Sequence, residues 1–314
     1  MERGEATYNG RPNPSMPRPP LPAQILRQRL RALLEALPAA QSGDVPSVHR
    51  ARVASRRLRE VLPVIAEAAG SGQLGRASKD VRRITRALGP IRELDVALGH
   101  LQEIGPRTGV PARTLAILRR HLNAERLVQR RTMLDVITPR AAARLRARLG
   151  SAHGPALTGS PASPQHLAEL HSARRRAARR AVRLRIEIGR AGGLYDPERL
   201  HAVRVATKKL RYSLEVDREL SRSRAMARIN RLRRLQDALG QIHDFEILLE
   251  HTREVQASLI GVDRRAATEL DGLVRTLETE CRDGHAAFVG DRAAIETVCQ
   301  QVIEAAREGR PTFM

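Results

Sequence analysis

The chain has 314 residues, enough for roughly two domains or one large domain with a substantial core. Lys and Arg number 56 against 34 Asp and Glu, and the resulting net charge of +22 indicates a polyanionic partner. Aromatic residues are limited to three Phe and three Tyr. Because proteins that bind single-stranded nucleic acids stack bases on such rings, this composition disfavours nucleic acid and favours a chain of phosphates.

The two cysteines, Cys281 and Cys299, have neither a CxxC nor a Cys/His ligand spacing. Reduced thiols are therefore expected, and no metal site and no cofactor is predicted. No apolar stretch reaches the length of about 18 residues that a membrane span needs, and the N-terminus lacks a signal-peptide pattern. The predicted location is cytoplasmic, without a membrane partner.

In chain order, residues 1–20 contain five prolines and are predicted to form a disordered arm. Residues 21–149 are predicted to form the first helical half. Its first helix is expected to end at Pro38, and separate helices are expected to reach Leu88 and to restart at Ile91. A further helical stretch begins at Ala112 and breaks at Pro139.

Residues 150–165 are rich in Gly, Pro and Ser and are predicted to be a linker. The second half is predicted to comprise residues 166–307, followed by a tail at 308–314. Its expected helices include pieces that end at Leu239 and Phe288 and restart at Ile242 and Arg292. No alternating strand pattern competes, so the predicted fold class is all-α, with two similar bundles.

A repeated segment shows an internal duplication. HRARVASRRLR at 49–59 aligns with HAVRVATKKLR at 201–211, and six of the twelve positions from Val48/Leu200 to Arg59/Arg211 are identical. At about 100° per residue, the cations of each copy fall on one face of a helix and the apolar residues on the opposite face. We call these faces the first cationic stripe (His49, Arg52, Arg56, Arg59) and the second cationic stripe (His201, Arg204, Lys208, Arg211).

A single stripe of this kind is typical of a solvated basic face, but its recurrence in both halves favours a binding site. The two histidines are open to two interpretations: neutral core or capping residues, or cations whose pKa rises beside a polyanion. Arg176, Arg179 and Arg183 repeat the same spacing, although a solvated face is favoured for them.

A second repeat aligns residues 82–98 with residues 233–249. Gly89 and Gly240 are predicted to adopt a left-handed conformation that ends one helix before the next begins. The acids that follow, Glu93/Asp244 and Asp95/Glu246, would complement the dipole of the next helix and could pair with stripe arginines.

Motifs for catalysis and metal binding are weak. The GxGxxG pattern at 70–75 follows a helix rather than a strand, which argues against dinucleotide binding. His243–Asp244 has no partner histidines, and acids two residues apart on a helix diverge, which argues against Mg²⁺. No catalytic constellation is present, so no enzyme is predicted.

Together, H-x-x-R-V-A-x-(R/K)-(R/K)-L-R and L-G-x-I-(R/H)-(E/D), each present twice, make the chain resemble the CHAD family, the conserved-histidine α-helical domain. The resemblance covers about residues 21–307, and Leu210–Arg211–Tyr212 followed by Glu215 is especially typical. Two departures are Glu93, where Asp is common, and Glu60, where the second copy has Tyr212. CHAD units are often fused to a triphosphatase domain, but no ExExK occurs here, so that activity is not expected.

The resemblance implies two four-helix-type bundles related by a pseudo-twofold axis, with a basic groove or pore between them. It also implies non-catalytic binding of inorganic polyphosphate and association with polyphosphate granules and their proteins. The implied binding residues are His49, Arg52, Arg56, Arg57, Arg59, His201, Arg204, Lys208, Lys209 and Arg211.

Seven further arginines are predicted to extend this site: Arg82, Arg83, Arg233, Arg234, Arg176, Arg179 and Arg183. Three alternatives remain open at this stage. One is a nucleic-acid-binding protein, which the charge permits. Another is an enzyme acting on polyphosphate or nucleotides, and the third is a structural scaffold for granule proteins.

Overall fold

A computed structural model describes residues 22–69, 72–150, 164–221 and 225–308, and in these ranges all the regular structure is helical. The predicted all-α fold class is therefore confirmed. The helices are α1 (Pro22–Ser42), α2 (Val45–Ala69), α3 (Gly72–Ile104), α4 (Ala112–Val136), α5 (Pro139–Gly150), α6 (Pro164–Ala191), α7 (Pro197–Ser221), α8 (Met226–Leu259), α9 (Arg264–Glu269) and α10 (Asp271–Glu308), with a short 3₁₀ turn at Gly105–Arg107. The predicted arm, linker centre and tail lie largely outside the described residues.

Several predicted helix ends are wrong. α1 continues through Pro38, because the flanking Leu37 and Ala40 are buried and hold the helix against its neighbours. α3 likewise continues through Gly89–Pro90, and α8 through Gly240. Neither glycine is among the described glycines with positive φ, which are Gly43, Gly109 and Gly192.

The glycine–proline pair in α3 persists because packing on both sides outweighs a local cost of about 1 kcal/mol for Gly and about 3 kcal/mol for Pro. Leu88 and Ile91, directly before and after the pair, are buried. The same reason applies to α10, which continues past the predicted break between Phe288 and Arg292, since Phe288 and Ile295 are both buried.

Two apolar cores each take side chains from both halves of the sequence. The first is built mainly from α1, α2 and the start of α3, and it includes Val216 and Leu220 of α7. The second is built mainly from α6, α7, α8 and α10, and it includes Leu101 and Leu118 of α3 and α4. Because of this exchange, α2 packs against α7 and α3 packs against α8. The two stripe helices therefore meet at the centre of the molecule.

Both cysteines are free and buried. Among the described helices, none combines the length and the apolar character that crossing a bilayer demands.

Candidate functional site

A cavity of about 390 Å³ lies where α2 and α7 meet, with part of its wall formed by α3. Its wall contains seven arginines and lysines and His201, against a single carboxylate, Glu93. Two of these cations, Arg52 and Arg204, are buried, and charge of one sign is expensive to bury without a counter-charge, so this imbalance is the main electrostatic feature of the site. The seven cations are Arg52, Arg56, Arg59, Arg86, Arg204, Lys208 and Lys209.

Arg52 of α2 is held by α3. Its Nη2 donates to Glu93 Oε1 at 3.1 Å, and its side chain is almost completely buried. Nη1 lies over the backbone of Gly89, where a Cβ atom would be only 2.8 Å away. Gly89 therefore allows a guanidinium to approach the helix backbone closely, which is the role of this glycine in place of the predicted turn.

Arg56, one turn further along α2, faces the opposite helix. Burial, followed by repulsion from Arg52, lowers its pKa to about 10, although a hydrogen bond with the Tyr212 side chain opposes this shift. A guanidinium normally stays charged at any working pH, and a pKa of about 10 still leaves Arg56 a cation at neutral pH.

The second cationic stripe supplies the other wall. Arg204 is buried, and its Nη2 lies 3.9 Å from Asp244 Oδ1. Burial, followed by repulsion from Arg204 and Arg56, lowers the pKa of Lys208 to about 6. His201 also has a lowered pKa, mainly because of burial and then because of His243.

The predicted pairing of stripe arginines with the acids of the second repeat is confirmed for Glu93 and Asp244. The other two acids have different partners. Asp95 accepts from Arg126 Nε at 2.6 Å, and Glu246 accepts from the Tyr195 hydroxyl at 2.8 Å. Only one acid of each repeat therefore orients a stripe arginine by a direct ion pair.

Some of the predicted site residues do not line this cavity. Arg211 is buried, with its guanidinium ion-paired to Glu215, and its Cζ lies 4.2 Å from the centroid of the Tyr212 ring. His49 and Arg57 instead line a separate cavity of about 680 Å³ beside α1 and α2.

The additional predicted arginines are also outside the cavity wall. Arg82, Arg83, Arg233 and Arg234 are exposed on α3 and α8. On α6, the side chains of Arg179 and Arg183 are both exposed, and Arg183 also pairs with Glu187. These two arginines therefore lie on a solvated face. Arg176 differs, because its Nη2 lies 3.7 Å from the buried Glu60.

The structure adds three polar side chains that the sequence reasoning missed, Thr85, Arg86 and Tyr212. Arg86 lies one turn before Gly89 on α3, and its spacing of four residues from Arg82 was the available signal. Tyr212 joins the wall from α7, although it occupies the position at which the first copy has Glu60. No repeat-based argument could find Tyr212, since the two copies differ there.

Fold and cavity together define the class: an all-helical protein with a duplicated cationic helix, whose two copies meet at one basic cavity. The family model of the CHAD domain matches residues 24–253, and the chain belongs to this family.

Two solved structures share the fold. The crystal structure of the CHAD domain from the plant Ricinus communis is similar with a TM-score of 0.60 and 23% sequence identity, covering 88% of this chain and 90% of that one. PptA from Streptomyces chartreusis has a TM-score of 0.55 and 16% identity, covering 91% of this chain and 98% of that one. A search of curated protein sequences finds no significant match.

Proposed function

We propose that this protein binds inorganic polyphosphate in the cavity between α2 and α7. The observation that carries the proposal is the wall itself, in which seven arginines and lysines face one carboxylate. A linear polyanion would supply the counter-charge that the wall lacks. Arginine and lysine bind phosphate oxygens through charge-assisted hydrogen bonds, and arginine can do so with two parallel bonds.

The electrostatics of the free protein support this proposal. The pKa of Arg56 falls to about 10 and that of Lys208 to about 6, since both groups are half-buried and lie among other cations. Phosphates near these groups would raise both pKa values again, because a nearby opposite charge favours the charged form. Part of the binding free energy would thus come from relieving repulsion that already exists in the folded protein.

Polyphosphate is favoured over nucleic acid by the aromatic content of the site. Tyr212 is the one aromatic side chain in the described cavity wall apart from the His201 imidazole. It is buried, and the Arg211 guanidinium lies over its ring. The Tyr212 ring is therefore not available to stack on a base, whereas phosphate contacts need no ring.

Binding would be multivalent and blind to sequence, with no catalysis by this chain. Binding of this polymer would place the protein at polyphosphate granules in the cytoplasm, where granule proteins are further partners. Catalysis is tested separately by incubating the protein with polyphosphate and Mg²⁺. Release of phosphate would replace the binding function by an enzymatic one.

The direct test is a binding titration with polyphosphate of defined length at two salt concentrations, using the wild type and the double variant Arg56→Gln/Lys208→Gln. Each charge-assisted contact contributes about 1.5–3 kcal/mol, so the double variant should bind at least about 100-fold more weakly. Affinity should fall steeply with salt, and the slope should decrease by about one for each phosphate-contacting cation removed.

The matched control removes two exposed arginines of α5, Arg144→Gln/Arg146→Gln, and has the same formal net charge as the test variant, with every lysine counted as charged. Equal weakening by both double variants would mean that net charge, not the cavity, binds the polymer. Competition with duplex DNA and RNA separates the remaining alternative, since nucleic acid that displaces polyphosphate at lower phosphate concentration would overturn the proposal.

A further inference from the structure

A group of metal-ligating side chains lies away from the basic cavity. It consists of His121 on α4 and of His251 and Glu254 on α8. One ring nitrogen of each histidine and one carboxylate oxygen all lie within 4.8 Å of one another. Within the described residues, this is the one group in which three or more such ligand atoms come together.

The distances are close to those of a coordination site. His121 Nε2 lies 3.6 Å, and His251 Nδ1 lies 3.1 Å, from Glu254 Oε2. Around a tetrahedral ion with bonds of about 2.0–2.1 Å, neighbouring ligand atoms are about 3.3–3.4 Å apart. A small rotation of the side chains would therefore bring all three donors to bonding distance of one ion.

His121 supplies a second observation. Its Nε2 atom is buried and has no hydrogen-bond partner, since 3.6 Å from Glu254 is beyond hydrogen-bond length. A buried polar atom without a partner is costly, and most such atoms in folded proteins are satisfied. A metal ion between His121 and Glu254 would satisfy this nitrogen.

A second His-x-x-Glu pair on the same helix provides a contrast. His243 Nδ1 lies 3.6 Å from Glu246, at the same spacing in the sequence as His251 and Glu254. Glu246 also accepts a hydrogen bond from the Tyr195 hydroxyl on its other oxygen, and Glu254 Oε2 lies within hydrogen-bond distance of His251 Nδ1, so neither carboxylate is without a partner. The helical spacing alone is therefore common to both pairs, and the histidine contributed by α4 distinguishes the cluster at residue 251.

We infer that His121, His251 and Glu254 bind one divalent transition metal ion of the Zn²⁺ class. Imidazole nitrogens with a carboxylate suit Zn²⁺ and its neighbours, whereas Mg²⁺ and Ca²⁺ prefer oxygen ligands. Three protein ligands leave a fourth position for water, and Glu254 also lines a cavity of about 1040 Å³ along α8. The ion would join a helix of the first sequence half to a helix of the second.

The test uses tag-free, full-length protein from which metal has been removed with a chelator. Calorimetric titration with ZnCl₂ should show one ion per chain, and Co²⁺ should give the visible absorption bands of a four-coordinate site. Excess Mg²⁺ should not displace Zn²⁺ from this site. Zn²⁺ should also raise the midpoint of thermal unfolding, because an ion that binds the folded state stabilises it.

The variants His121→Gln, His251→Gln and Glu254→Gln should each lower Zn²⁺ affinity at least about tenfold, since even residues behind the ligands have effects of that size. The control is His171→Gln, which removes a partly buried histidine of α6 outside the cluster and should leave affinity unchanged. Circular dichroism confirms that each variant is folded without metal. Absence of stoichiometric binding, or equal losses in the control, would overturn the inference.

Discussion

The two stripe helices, α2 and α7, have closely related sequences but different surroundings. On α2, Arg59 lines the cavity while its Nε lies 3.6 Å from Oε1 of the next residue, Glu60, which is buried and also paired with Arg180 of α6. On α7, the equivalent Arg211 is ion-paired away from the cavity, and the next residue, Tyr212, takes a place in the wall. The repeated sequence thus sets the positions of the cations along each helix. The residue after the last arginine of the stripe, Glu60 in the first copy and Tyr212 in the second, decides which side chain reaches the cavity.

The largest expected effect comes from removing the buried acid that is specific to the first copy. Glu60→Gln should lower the free energy of unfolding by about 3 kcal/mol, because the half-buried Arg176 and Arg180 then lose their counter-charge. Tyr212→Phe, the change at the equivalent position, should cost only about 1 kcal/mol for one hydrogen bond. Urea denaturation of both variants measures the difference, and equal losses would remove the contrast between the helices.

The second largest effect is expected when the last arginine of each stripe is replaced. Arg59→Gln should weaken polyphosphate binding about tenfold, because Arg59 lines the cavity and one charge-assisted contact would be lost. Arg211→Gln should change binding much less and mainly lower stability, since its guanidinium pairs with Glu215. Parallel binding titrations and urea melts separate the two roles; a larger binding loss for Arg211→Gln would show that the ligand reaches behind Tyr212.

The pH dependence of binding tests the role of Lys208, which aligns with Arg56 of the first copy. Its pKa of about 6 in the free protein leaves it mostly neutral at pH 7, and phosphates should raise that pKa. Binding above pH 6 then takes up a proton, so affinity should increase by up to about tenfold for each unit by which the pH falls towards 6. Below pH 6 the lysine is already charged, and its contribution should level off.

Titrations in two buffers of different ionisation enthalpy measure this proton uptake directly. Lys208→Arg is the matched variant, because it copies Arg56 of the first stripe and removes the neutral state. It should keep binding while losing most of the pH dependence. An unchanged pH profile in this variant would assign the proton to another group, with His201 as the nearest candidate in the cavity wall.

The smallest effect concerns the equivalent glycines. Gly240→Ala should stabilise the protein by up to about 1 kcal/mol, since a methyl group there meets no atom within 4 Å and alanine favours a helix. Gly89→Ala should not give this gain, because its Cβ atom would displace the Arg52 guanidinium. Thermal unfolding checks the first expectation. Weaker polyphosphate binding by Gly89→Ala alone would show that the position of Arg52 matters for the site.

Local patterns were sufficient for the all-α fold class, the duplicated stripes and the pairing of Arg52 with Glu93. Each of these depends on helical periodicity or on a repeat, and both can be read from neighbouring residues. The helix ends at Pro38 and Gly89 were predicted wrongly for the same reason. A breaker residue signals its local cost, but burial of the flanking Leu37 and Leu88 against distant helices outweighs that cost.

Tertiary packing decided the composition of the sites. Arg86 and Tyr212 reach the cavity because α3 and α7 cross α2 there, and His121 meets His251 because α4 packs on α8. Residues 121 and 251 are 130 positions apart, so no spacing rule connects them. Periodicity assigns a side chain to a face of its own helix, but which other face it meets depends on the core that the whole chain buries.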